Sequence, residues 1–567
     1  MQVFLLLADA AGQVVTRDRL YDECWGGTQV ADYSLNRTIT MVRRIAAKAG
    51  PGAFNIESIP RTGYRLLVNG EDPGPTVKRG SRWRIRALFI GLVLVAVGIA
   101  SAWLLRGQES HEPTVSFVAD DQRSAGLAAG IANAALNTAA IYQVSMRLTG
   151  ARLAKSSADF ILRVRTASIG SERKVDLTLV SEPGNSLVWS WSDSGSPMSI
   201  EKDARSIGAS VVSCAAETVD AAGRRPDEGT VKLYLDACSK FEPLAGAYLK
   251  MLPDAFQEVT VKAPQLRSAW SKLFLSKAEA IEGFPPVQLA DSLKKDIQNS
   301  ISQGVEVPER YIAQAAVLPP NARFERLRLY EVGLEQYPRN GFLLAARSWQ
   351  LRSVGRMDEA AQTAHRLATL YPNWSVASAE YAFSLMHSGR VEAARSVLDH
   401  AAKSSPATAE LKSARWTLEM RYGDPQRALL MARTDGFLID HPTINFLEAR
   451  ASPTRANVDR AVGELNATYQ ADPREPGLLV QALAAFGRTE EAIVVLLHYP
   501  LGATSGDGAE MLFRPHMKDV RRDPRFISIA QNFGLTDYWR ASGTLPDFCF
   551  DPALPYDCKR ELAKLRG

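Results

Sequence analysis

Between Asp32 and Lys48 the chain sets Arg37, Thr40, Met41 and Arg44 against an apolar stripe of Leu35, Ile39, Val42 and Ala46. Spacings of four, three and four residues keep that stripe on one side of a helix. Asn36 lies at the edge of the polar side, and Lys48 extends it. Guanidinium, hydroxyl and amide groups gathered this way can bond base edges and phosphates, so the helix suits the major groove of a duplex. The plainer reading is a solvated charged face. The neighbouring residues favour the groove: Phe54 to Val68 (FNIESIPRTGYRLLV) alternates like a hairpin, with Tyr64, Leu66 and Val68 on one face. Pro60 and Gly63 bracket a turn that lifts Arg61 outward.

No pattern elsewhere offers catalysis. The chain has no glycine-rich phosphate loop, HExxH, GxSxG or CxxC. Its histidines (His111, His365, His387, His400, His441, His498 and His516) are scattered, none four residues from another, and each reads as a surface or packing residue. The chain therefore reads as a non-enzyme with no cofactor and no metal.

The helix and hairpin need supports. Thr16 can cap a helix running to about Trp25, with Leu20 and Cys24 inward, and Gly26-Gly27 ends it. Asp32 caps the basic helix, which Gly50-Pro51 stops. Helix, loop, basic helix and Arg-tipped hairpin make a winged helix of residues 1–68. VVTRDRLYDECWG, VADYSLNRTITMVRRIA and IESIPRTGYRL closely resemble the OmpR/PhoB-type DNA-binding family over about residues 3–68. That resemblance implies double-stranded promoter DNA as partner, with Asn36, Arg37, Thr40, Met41 and Arg44 toward the major groove and Arg61 in the adjacent minor groove. It also places Gly26–Ala31 where relatives can face RNA polymerase. Relatives begin with a small sheet and a full first helix, whereas this chain opens inside that helix at Met1-Gln2-Val3-Phe4. The expectation is an upstream start; otherwise the hairpin lacks part of its packing surface.

Charge and hydropathy set the topology. Residues 1–86 hold 13 Lys/Arg and 8 Asp/Glu, which is the whole excess of a chain with 67 basic and 62 acidic residues. Residues 69–86 form a basic linker rich in Gly and Pro. Ala87 to Leu105 is a run without a charge, long enough at about 1.5 Å per residue to cross roughly 30 Å of hydrocarbon. Lys78, Arg79, Arg82, Arg84 and Arg86 precede it, so the N-terminus is expected in the cytoplasm and the C-terminal part in the periplasm, across a bacterial inner membrane. A winged helix followed by such a span resembles the ToxR/CadC-like membrane-anchored regulators. Cys214, Cys238, Cys549 and Cys558 then lie on the oxidising side. Two disulfides, most simply Cys214–Cys238 and Cys549–Cys558, stand beside two other pairings and four free thiols.

Beyond the span, residues 113–225 read as a small α+β domain. Phe160, Leu162 and Val164, then Val175, Leu177 and Leu179, then Leu187, Trp189 and Trp191 alternate as an antiparallel meander. Helices are expected from Ser124 to about Thr138 and from about Ile200 to Val219, and the order weakly resembles a TolB-N-like module. From 228 to 535 the sequence is helical and repeats. Tyr337-Pro338, Tyr371-Pro372 and Ser405-Pro406 stand 34 residues apart, as do Gly355, Gly389 and Gly423, and Ala360, Ala394 and Ala428. That period is the tetratricopeptide signature, an all-α solenoid whose concave surface usually holds a peptide or protein segment. Residues 536–567 form a tail.

The leading expectation is a membrane-bound one-component transcriptional regulator, acting through a homodimer that joins two winged helices on paired half-sites. A periplasmic scaffold with a vestigial DNA-binding domain is the alternative, and an enzyme on the α+β domain a distant third.

Overall fold

The computed structural model describes residues 2–10, 12–16, 19–20, 39, 42, 54–59, 62–67, 111–150, 158–241, 253–282, 287–404, 408–434, 439–471, 477–499 and 506–565. The apolar run 87–105 lies outside them. The chain divides into two compact units, Met1–Gly107 and Gln108–Gly567.

In the first unit a helix, Gln2–Asp9, leads through Gly12, whose φ of 81° needs a residue without a Cβ, into β1 (Val15–Thr16). β2 (Asn55–Ile59) and β3 (Gly63–Leu67) form an antiparallel hairpin, and β1 pairs with β3, giving the order β1-β3-β2. Gly63 is demanded by that pairing, because a Cβ there would collide with the Val15 carbonyl oxygen. The inner face is dry: Val3 and Leu7 of the first helix, Val15, Leu20, Ile39, Val42, Ile56, Tyr64 and Leu66 make one core. Phe4 and Phe54 add a ring contact at 5.2 Å.

The second unit opens with a five-stranded sheet: β4 (Thr114–Ala119), β5 (Arg147–Gly150), β6 (Phe160–Ile169), β7 (Glu172–Ser181) and β8 (Ser186–Gly195). The order is β5-β4-β6-β7-β8, with β4 parallel to both neighbours and the rest antiparallel. The three-stranded meander is therefore part of a mixed sheet. Its third strand also departs from simple alternation. A bulge between Leu179 and Val180 of the partner lets Val188 and Trp189 both turn inward, leaving Leu187 57% exposed.

Helices Gln122–Ile141 and Pro197–Glu217 pack together on the sheet. Gln122–Ile141 is long and apolar enough to cross a membrane, yet its Leu127, Ala128, Ile131, Ala135 and Ala139 are buried in this core, so here it serves as a core helix. Gly208 allows the close approach, since a Cβ would stand 3.0 Å from Ile131 and 3.3 Å from Leu177. The same core continues past residue 228 through Tyr234, Phe256, Trp270 and Leu293 to Ala313. Cys214 is joined to Cys238 across that boundary, and Cys549 is joined to Cys558.

The helices beyond this core form a regular run. Arg323–Gln336, Met357–Leu370, Val391–Ser404 and Pro425–Thr434 alternate with Gly341–Ser353, Ser375–His387 and Ala409–Arg421, and each series starts at steps of 34 residues. Tyr337 and Tyr371 end their helices in the same conformation, φ −125° and −131°. Gly355 (φ 86°) and Gly389 (φ 78°) share a left-handed turn, after which Arg356 N and Arg390 N donate to Leu351 O and Leu385 O. Gly487 (φ 72°) and Arg488 repeat it out of phase. Gly423 differs: it has no left-handed φ, and a Cβ there would force the Glu419 carboxylate to shift. Ala360, Ala394 and Ala428 are fully buried where paired helices meet. The tail joins this core, with Trp539 Nε1 donating to Val354 O at 3.1 Å and Asp547 N to Gly355 O at 3.0 Å.

Candidate nucleic-acid interface

Two residues locate the basic helix. Ile39 and Val42, both helical, are 2% and 4% exposed in the core of the first unit, where the apolar stripe requires them. The candidate DNA contacts Asn36, Arg37, Thr40, Met41, Arg44 and Arg61 lie outside the described residues, as does the 26–31 loop. At the hairpin's end Thr62 N donates to Ile59 O at 3.1 Å, joining the end of β2 to the approach of β3. On the hairpin's outer side Arg65 Nε meets Glu57 Oε2 at 2.6 Å, two residues in direct cross-strand register. Sequence reading overlooked this pair, although a Glu and an Arg equally distant from the turn signal it. Thr16 ends β1, and its hydroxyl accepts from Arg19 N at 3.3 Å, so one residue closes a strand and caps the helix that supports the interface.

The second unit presents a different arrangement. Two 3-10 segments, Gly506–Phe513 and Pro515–Met517, lie against helices of the array: the first against Gly341–Ser353 and Gly477–Ala485, the second against Gly477–Ala485. Phe513 packs on Gly355, Met511 on Gly477, and Pro515 lies beside Gly389. The His516 ring stacks on Tyr422 with centroids 5.0 Å apart, and Arg514 donates to Gln481 Oε1 at 3.2 Å. The chain's own 511–516 segment thus lies across the turns at Gly355 and Gly389 and the helix ends at Tyr422 and Gly477.

Its anchor is a buried ionic cluster. Glu510 Oε2 sits 3.0 Å from Arg352 Nε, and Glu510 Oε1 sits 2.7 Å from His387 Nε2, a close contact without good hydrogen-bond alignment that is an ion pair only when the ring is protonated. Arg352 also pairs with Glu380 and donates to Ser384 Oγ at 2.9 Å. Burial opposes ionisation of Glu510, but His387 and Arg352 outweigh it and hold the carboxyl well below its usual range. Burial pushes the His387 ring down despite that partner. His387 and His516 were expected to be ordinary packing residues, and no local pattern marks them; their partners come from segments distant in sequence. Among the described residues no group of three His, Cys, Asp or Glu could hold a metal ion.

Residues 1–66 match the family model described as "Transcriptional regulatory protein, C terminal". The chain is 34% identical over 79 residues to the protein named "Transcriptional regulator HilA" in Salmonella typhimurium and to its namesake in Salmonella paratyphi A. Each match covers 13% of this chain and 14% of the relative, so the chain spans only a small part of the curated proteins it resembles. Residues 1–66 are a winged-helix domain of the transcription-regulator type, and family resemblance points to DNA binding and away from an enzyme.

Proposed function

We propose, from the winged helix of residues 1–66, a membrane-bound one-component transcriptional regulator that binds promoter DNA in the cytoplasm and responds to a periplasmic event through the second unit. The observation that carries the DNA-binding half is the buried Ile39 and Val42 pair beneath the closed β2–β3 hairpin. A helix fixed by those two positions carries Arg37, Thr40, Met41 and Arg44 on its other sides by spacing alone. Their groups match the donors that read guanine edges and phosphates. The relatives bear the name of transcriptional regulators.

Anchoring rests on the uncharged 87–105 run and the basic residues before it. The Cys214–Cys238 and Cys549–Cys558 disulfides suit an oxidising compartment. The 34-residue step of the helices supports a tetratricopeptide-like solenoid. The 511–516 segment lies across the Gly355 and Gly389 turns and the end of Ala409–Arg421, so a protein partner for the repeats would dock away from those turns or displace the segment. A homodimer across the membrane would join two winged helices on paired half-sites, and RNA polymerase is the partner proposed for residues 26–31.

The test is DNA affinity of the full-length protein in detergent, measured by fluorescence anisotropy at fixed salt. Arg44→Ala should weaken binding by about 1–3 kcal/mol. Equal affinity of mutant and parent removes the assigned role.

A further inference from the structure

Where the 511–517 segment crosses the end of Ala409–Arg421, the second unit collects several buried polar atoms without partners, three of them N–H donors by necessity and two, a hydroxyl and an imidazole nitrogen, able to donate. Arg421 Nε, Tyr422 Oη, Gln481 Nε2, Arg514 Nε and His516 Nδ1 are each sealed from solvent and have no hydrogen-bond partner among the described residues. Burying a single such group unpaired is costly, and native proteins rarely do it. Here five belong to one neighbourhood: His516 stacks on Tyr422, Gln481 holds the other side of Arg514, and the Arg421 and Arg514 charges act on each other and on His516. Gln481 is only 3% exposed, so water does not reach its amide from outside.

Positive charge is in excess here: Glu510 acts on Arg421 and Arg514 from a distance, and Asp424 on Arg450, but no carboxylate makes a direct contact with Arg421 or Arg514 among the described residues. Arg421 and Arg514 are joined by Arg450 and Arg521, whose guanidiniums are spent on carbonyls: Arg450 on Glu419 O, Met420 O and Gly423 O, and Arg521 on Leu512 O and Arg514 O. The nearby carboxylates are committed elsewhere. Glu510 serves Arg352 and His387, and Glu419 serves Arg395 and Arg427. Burial, with Arg514 adding to it, pushes Arg421 down to about 9, still cationic at neutral pH. Burial first, then Arg450, Arg514 and Arg421, push His516 down to about 4. A water molecule could accept from some of these groups but would add nothing to the single, more distant carboxylate of Glu510 against two guanidiniums.

We propose that Arg421, Tyr422, Gln481, Arg514 and His516 form a binding site for a small tetrahedral oxyanion of the phosphate or sulfate class. A carboxylate has two oxygens with about four acceptor positions, whereas a tetrahedral oxyanion offers more acceptors, enough for each of these groups to find one. Its charge would answer both guanidiniums. Because Arg514 and His516 come from the covering segment while Arg421, Tyr422 and Gln481 come from the helices beneath, the bound anion would tie that segment to the helix array. This site is independent of the DNA-binding reading.

The experiment is thermal unfolding and titration calorimetry of the purified full-length protein in a zwitterionic buffer. Inorganic phosphate and sulfate are compared with chloride and acetate at matched ionic strength. The site predicts stabilisation that saturates with phosphate or sulfate and exceeds the chloride effect, and binding at least about tenfold weaker in Arg421→Gln. Should Arg421→Gln fail to fold, Tyr422→Phe decides, since it keeps the ring stack on His516 and removes one donor; it should weaken phosphate binding severalfold. Phosphate and sulfate effects no larger than those of chloride, or phosphate binding unchanged in the variant that folds, overturn the proposal.

Discussion

Glu510 and Arg352 stand 158 residues apart in sequence, yet a carboxylate oxygen of one lies 3.0 Å from Nε of the other inside the second unit. This pair fastens the covering segment to the helix array. Arg352 is 4% exposed at its side chain, and among the described residues Glu380 and Glu510 are the carboxylates that neutralise it.

Removing one partner of a buried ion pair leaves the other charged and dry, so Glu510→Ala should destabilise the second unit by about 3 kcal/mol or more. Urea denaturation followed by tryptophan fluorescence measures it. A loss under roughly 0.5 kcal/mol, the range of ordinary surface changes, would show that the segment is not held there.

Acid should loosen the same region, with a sign fixed by His516. Its folded value, lowered by burial and by the Arg450, Arg514 and Arg421 charges to about 4, lies below the 6.5 of a free ring. Between these values the unfolded chain takes up a proton that the folded chain refuses. The contribution is whole above pH 6.5 and is lost as pH falls through 4. His387, also pushed down by burial, adds in the same direction. Denaturation midpoints recorded across that window should fall with pH, and less steeply in His516→Phe, which keeps a stacking ring. An unchanged slope in that variant would contradict the assignment.

In the first unit Gly63→Ala should cripple the wing. Its Cβ would enter the space of the Val15 carbonyl oxygen at the β1–β3 pairing, and overpacking of this kind costs about 1–3 kcal/mol. Circular dichroism and DNA binding should fall together. Full DNA affinity in a stably folded Gly63→Ala protein would mean that β1 does not hold the hairpin.

Legibility in the sequence followed the locality of the cause. The 34-residue step was visible because Gly355, Gly389 and the buried alanines recur wherever the same turn and the same helix contact recur. β6 and β7 were visible because Phe160, Leu162, Val164, Val175, Leu177 and Leu179 alternate, and all six are buried. β5 was not: Arg147–Gly150 is a short edge strand, half exposed, with no apolar period to reveal it. Leu187 misled because Val188 is an extra residue opposite Leu179 and Val180, which reverses the alternation on its two sides, and nothing in the β8 sequence marks it. The Glu510–His387–Arg352 cluster and the donors around Arg421 were invisible for a related reason. Their meaning lies in contacts between segments tens to hundreds of residues apart, and nothing local demands them. In the winged helix the stripe positions Ile39 and Val42 and the hairpin were legible, while the six proposed DNA contacts lie outside the described residues.

The central claim is that this protein reads DNA from the membrane. Genome-wide crosslinking of the tagged full-length protein in its native cell tests it most directly. A few sharp peaks sharing a repeated motif are expected, lost in the Arg37→Ala/Arg44→Ala double variant although the protein is made and inserted normally. A flat profile from correctly inserted wild-type protein would contradict it, and would turn attention to the periplasmic scaffold reading.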